Sequence, residues 1–153
     1  MESRSYQPYN QTKMKDASTL PAPPTAPPGL SAEAMKAFVR QHFEDFVNRR
    51  LSAVALNNFS QDFLDHDGPA GPVVGPTAAK QMMESAYRKW PDLHVKVMDA
   101  ICEGDKVMVR NQWTGTDSVS GAKYEFHGFV LWRFANGKIV ERWATLTDPM
   151  EVV

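Results

Sequence analysis

Residues 93–116, LHVKVMDAICEGDKVMVRNQWTGT, decide how this chain folds. Apolar and polar residues alternate along both halves, and Gly104-Asp105 stands between them. A period of two marks a strand with one covered face, and a Gly-containing pair between two such runs marks a hairpin. The alternation continues through YEFHGFVLWRF (124–134) and KIVERWATLTD (138–148), which Ala135-Asn136-Gly137 joins. The remaining loop, DSVSGA (117–122), is longer. Four long strands in succession predict an antiparallel meander.

The period upstream is different. Ser31 is a candidate N-cap, with Glu33 in the first turn. Met35, Phe38, Val39, His42, Phe43, Phe46 and Val47 then fall on one helical face, predicting a helix to about Arg50. A short helix is expected over Ser52–Asn58. A third is expected over Thr77–Lys89, with Met82, Met83, Ala86 and Tyr87 inward. Helices first and one long twisted sheet afterwards predict an α+β domain over residues 31–153. Its shape is a cone-shaped barrel, a curved and mainly antiparallel sheet wrapped around the N-terminal helices and enclosing a cavity. Residues 1–30 hold six of the 11 prolines, in and around LPAPPTAPPGL. They read as a disordered proline-rich arm.

Composition removes several classes of function. The chain has 153 residues and a formal charge of −1, with its Lys and Arg scattered. That is not the basic footprint nucleic acid needs, so no nucleic-acid partner is expected. No apolar run approaches the ~18 residues of a membrane span, and no apolar core of a signal peptide opens the chain. Cys102 is the sole cysteine and reads as a buried structural thiol, which suits a cytoplasmic setting.

Several short motifs occur in a definite order: FLDHD (63–67), GPVVGP opening a helix, WPDL (90–93), EGDKVMVR, WTGT and RFANGKIVERW (133–143). Together they resemble the SnoaL-like polyketide and ester cyclases of the nuclear-transport-factor-2-like superfamily, over roughly residues 32–148. The resemblance implies a cofactor-independent ring closure by intramolecular aldol addition in a small to mid-sized hydrophobic carbonyl compound. One group of matched pKa inside an apolar pocket suffices for that chemistry.

In such families the acid/base is an Asp four residues after the Trp of the last strand. Here Thr147 holds that place and Asp148 follows it. A shift of one reverses a side chain in a regular strand. Either a bulge turns Asp148 inward, or Thr147 takes the slot and Asp148 closes the strand in solvent. The second focus is Asp65-His66-Asp67, where the resemblance sets His66 at the cavity mouth to orient or deprotonate substrate. Asp148 and His66 are thus the candidate catalytic residues. Asp67, Tyr87, Trp113, His127, Trp132, Trp143 and Thr147 are the candidate substrate contacts, the aromatic ones suiting a flat ring system. No metal is expected, because adjacent residues such as 65–67 rarely converge on one ion. A sheet face left bare by the helices predicts a homodimer. Two other functions fit the same fold. One is a non-catalytic ligand-binding or adaptor module. The other is an epoxide hydrolase using an Asp-Arg-Asp set, to which Asp99 and Arg110 could contribute.

Overall fold

The computed structural model describes residues 29–153. Apart from Gly29 and Leu30, the arm expected over residues 1–30 lies outside them. Helix α1 (Ala32–Phe43) begins where expected, and Ser31 Oγ accepts the Ala34 N–H at 3.2 Å. That bond satisfies one of the amides the first turn leaves unpaired. The stripe that spacing predicts is the buried one, with Met35, Val39, His42 and Phe43 on α1. Phe46 and Val47 extend it on a π-helical turn, Glu44–Asn48. Arg50, at φ 59°, turns the chain away. A 3₁₀ turn (Ser52–Val54) leads into α2 (Ala55–Asn58). Helix α3 (Pro76–Lys89) starts on Gly75-Pro76, with the proline where a missing N–H costs nothing.

The predicted meander is present as β3 (His94–Glu103), β4 (Lys106–Thr116), β5 (Lys123–Ala135) and β6 (Lys138–Leu146). Sequence alternation gave no sign of β1 (Phe59–Asp65), because Ser60, Gln61 and Asp62 interrupt the apolar pattern. It runs parallel to β6, and the two-residue β2 (Val73–Val74) pairs with it. The order is β2-β1-β6-β5-β4-β3, with β7 (Met150–Glu151) on β5. The sheet is therefore α+β in context and mainly antiparallel. It curves around the helices without closing into a full barrel.

Strand β6 carries an irregularity that matters for everything below. Phe134 pairs with Ile139, and Arg133 with Glu141. One step on β5 is matched by two on β6, so Val140 is an extra residue. A bulge of this kind exchanges the two faces of the strand beyond it. Arg142 and Leu146 consequently reach the cavity, while Trp143 stacks on His66 outside it. A second extra residue follows. Thr147 N–H donates to His127 O at 2.8 Å, yet the next ladder pair is Met150 with Glu125. Three steps on one side match two on the other, and Asp148-Pro149 hold the excess.

The core lies between α1, α3 and the concave sheet face. Val107, Val109 and Val130 are fully buried there, beside Phe43, Phe63 and Ile139. Each such side chain contributes roughly 1.5–3 kcal/mol by leaving water.

Candidate functional site

A cavity of about 300 Å³ opens between α3 and the concave face. Aromatic side chains make most of its wall. Phe59 and Phe63 stack at 3.9 Å, Trp132 lies along Phe59, and Trp113 stacks on Phe126 at 5.5 Å. Met82, Met83, Ala79 and Ala86 of α3 close the other side. Such a wall takes a flat apolar body, and its few polar groups fix which way the body lies.

Those polar groups are Asp65, Asp67, Arg142 and Thr147. Asp65 ends β1 opposite Arg142 on β6, so the parallel register alone brings the pair together. Arg142 Nη1 donates to both oxygens of Asp65, at 2.9 and 3.0 Å. The carboxylate is 2% exposed and the guanidinium 15%, so the charges neutralise each other away from bulk water. The guanidinium also lies 5.5 Å from the Trp132 ring centre. Among the described residues, Nη1 is the only guanidinium nitrogen of Arg142 with a hydrogen-bond partner. Its other guanidinium N–H groups have none.

Asp67 sits two residues on, in the turn after β1, and lines the same cavity as Asp65. Its own N–H donates to Asp65 Oδ1 at 3.0 Å, and its Oδ2 accepts the Ala144 N–H at 2.8 Å. Oδ1 of Asp67 has no partner among the described residues. Asp67 is thus an anchored, solvent-accessible carboxylate at the rim, joined by backbone to a buried ion pair.

The expected site residues separate into two groups. Asp67, Trp113, Trp132 and Thr147 line the cavity. Asp148 does not. It is exposed in the second bulge, between two residues, Thr147 and Pro149, that do line it. The Thr147 hydroxyl accepts the His127 N–H at 3.1 Å, replacing the carbonyl acceptor of a regular ladder. His66 lies on the convex face. It hydrogen-bonds Glu141 at 2.7 Å and stacks on Trp143 at 4.8 Å. Glu141 also takes Arg133, and its carboxyl is held below its ordinary value, foremost by the His66 hydrogen bond. His127 is exposed on that face as well. Tyr87 points from α3 towards the π-helical turn, where its hydroxyl donates to Phe46 O and Arg50 covers its ring. Burial pushes its pKa up to about 12. Asp99 and Arg110 pair at 2.6 Å on the exposed face, well outside the cavity lining.

Sequence reading missed Arg142 as a cavity residue and the part Asp65 plays as its partner. Asp65 stood in the Asp65-His66-Asp67 focus, but the pairing that sets it opposite Arg142 and the bulge that turns Arg142 inward belong to the strand register. Among the described residues, no three of His, Cys, Asp and Glu come together as a metal site. None of the described helices is long and apolar enough to cross a membrane.

The SnoaL-like polyketide cyclase family model matches residues 37–151. The chain belongs to that family. Membership supports a cyclase-type function in general terms and the binding of a small hydrophobic ligand. Solved structures agree on the fold of this SnoaL-like protein. A proposed polyketide cyclase from Bacillus cereus ATCC 10987 is 25% identical, with a TM-score of 0.65 over 84% of this chain and 90% of that one. AclR, a proposed hydroxylase from Streptomyces galilaeus, is 23% identical, with a TM-score of 0.67 over 76% and 77%. A Catenulispora acidiphila DSM 44928 protein with a ketosteroid isomerase-like fold gives 16% and 0.64 over 71% and 83%. No curated protein sequence matches this SnoaL-like chain.

Proposed function

We propose that the cavity binds a small to mid-sized hydrophobic carbonyl compound and closes a ring in it by intramolecular aldol-type addition, without a cofactor. The observation that carries this reading is the Asp65–Arg142 pair at an aromatic cavity, with Asp67 beside it. Arg142 donates to the carbonyl oxygen and stabilises the enolate that forms when Asp67 Oδ1 takes the adjacent proton. The enolate carbon adds to a second carbonyl of the same molecule. Asp67 then returns its proton to the new alkoxide. Asp65 acts through Arg142, as a positioning residue. Incubation with a diketone able to close a six-membered ring tests the reading. Cyclised product that vanishes in Asp67→Asn while the ligand still binds supports it. Equal turnover by Asp67→Asn overturns it.

One observation favours a second reading. The cavity holds two aspartates and an arginine, the set a water-activating epoxide hydrolase uses, although Arg142 bonds only Asp65. Diol formation from an apolar epoxide, and none from diketones, would select it. Thr147 in place of the family acid favours a ligand-binding module, which would bind both probes and turn over neither.

A homodimer through the convex face belongs to the same proposal. Ile101 is 68% and Phe129 51% exposed there; Ile101 is in register with Met108 and Leu131 across β4 and β5, and Phe129 lies two residues from Leu131 on β5. Exposed apolar strands of this kind need a cover. Sedimentation of the intact chain as a monomer at micromolar concentration refutes it. A cytoplasmic setting accompanies the reading, with Cys102 unpaired.

A further inference from the structure

A second depression, of about 400 Å³, adjoins the cavity. Pro69, Met82, Ala86 and Trp90 line both. One wall of the second is the loop Pro69-Ala70-Gly71-Pro72-Val73, which carries no ionisable side chain. The loop is built rather than incidental. Gly71 N–H donates to Gly68 O at 3.0 Å, and a side chain at Gly68 would collide with Gly71 O and Val73. The other wall is a stripe of α3, Met82, Ser85, Ala86 and Lys89, at helical spacing. The groove therefore leads from the cavity along α3 to an ammonium group. Lys89 Nζ lies 5.2 Å from the Trp90 ring centre, and no carboxylate pairs with it among the described residues. Asp117 feels its charge only weakly. Arg88, next to it, is hydrogen-bonded to Ser85 Oγ at 2.8 Å.

We infer that this groove is the tail subsite of the cavity's ligand. The occupant is an elongated molecule with a flat carbonyl-bearing head in the cavity, a linear apolar chain between the 69–73 loop and α3, and an anionic end at Lys89. The inference rests on the proposed function for the head and adds the chain and its charge. Adjacency decides the occupant, because Met82, Ala86 and Trp90 belong to the linings of both spaces. The head end has Asp67 at its rim and a neutralised Arg142, and so favours an uncharged group. Lys89 is the positive end.

The probes are 2-naphthyl ketones carrying linear chains of increasing length that end in a carboxylate, each with its methyl ester. Quenching of tryptophan fluorescence reads their binding, since Trp90, Trp113 and Trp132 line the space. Affinity is expected to rise roughly twofold per methylene, half the value of full burial, until the chain reaches Lys89. The longest acid should then bind about threefold more tightly than its ester. Lys89→Gln should remove that difference and leave the esters unchanged. Ser85→Trp, on an exposed position of the groove wall, should abolish the chain-length gain and leave the shortest ketone bound as before. A bound short ketone with flat chain-length dependence overturns the groove alone. Equal weakening of acids and esters by Lys89→Gln overturns the anionic end. No binding of the shortest ketone overturns both the groove and the proposed function beneath it.

Discussion

Arg142 spans both carboxylate oxygens of Asp65 with one terminal nitrogen, across two neighbouring parallel strands. Burial makes this pair mutually dependent, since either charge alone would sit desolvated without compensation. Asp65→Asn should therefore cost about 3 kcal/mol in urea unfolding. The exposed Asp99–Arg110 pair, 61% and 49% accessible, is closer in distance yet surrounded by water. Asp99→Asn should cost less than about 0.5 kcal/mol. Equal losses in the two variants would mean that burial is not what sets the strength of the Arg142 contact.

Asp67 is the carboxylate with a free oxygen at the cavity, whereas Asp148 and His66 face away from it. Asp67→Asn should lower kcat by about 10²–10⁴-fold, the usual worth of a general base, with Tm little changed. Asp148→Asn and His66→Ala should stay within about twofold of the parent. A large kcat loss in either of the latter two, with Asp67→Asn active, reverses the assignment.

Gly128 on β5 faces Leu146, at a point where the two strands approach closely. A methyl group there would overlap Thr145 O and press on Leu146 Cα. Backbone cannot yield as a long side chain can, so Gly128→Ala should destabilise by about 3 kcal/mol. Gly121, with nothing near its missing side chain but φ 72°, should tolerate Ala with only the smaller strain of a left-handed residue. Thermal melts of the two variants separate crowding from conformation.

His42 is 1% exposed, and its Nδ1 meets Asn58 Nδ2 at 2.9 Å. Burial, with Arg142 adding, brings its pKa down to about 3. The unfolded chain, titrating near 6.5, binds the extra proton first. Stability is thus whole above pH 6.5 and falls as pH drops towards 3, by about 1.4 kcal/mol per unit and roughly 5 kcal/mol in all. His42→Leu should flatten that slope between pH 6.5 and 5.5, where carboxylates are still almost wholly ionised. An unchanged slope in the variant removes His42 as its source.

The fold was legible because its signals are periodic. Met35 to Val47 carry a 3.6 repeat and β4 and β5 a 2.0 repeat that side-chain burial follows, while in β3 the repeat changes phase at Met98, where the register shifts. The parallel strand β1 escaped because Ser60, Gln61 and Asp62 break its pattern, and with it went the recognition that Asp65 lies opposite Arg142. Trp143 was expected inside and Arg142 was overlooked for one shared cause. Nothing in GKIVERW announces that Val140 is extra, since a bulge is fixed by the pairing partner and not by the residue. The offset between Thr147 and Asp148 was visible in the sequence. Its resolution, with Thr147 at the rim and Asp148 in solvent, depended on where the second extra residue fell.

The Val140 bulge has a genetic consequence. Beyond it the strand carries two side-chain sets, Glu141 with Trp143 and Arg142 with Leu146, and the cavity receives whichever the pairing register selects. Loss of a single codon at Val140 would straighten the strand and leave Glu141 opposite Arg133 and Arg142 opposite Trp132, with the arginine still inward. The same residues paired without a bulge would instead draw a tryptophan and a glutamate inward and expel the arginine. Two relatives with matching letters here therefore share a site only if they also share the bulge.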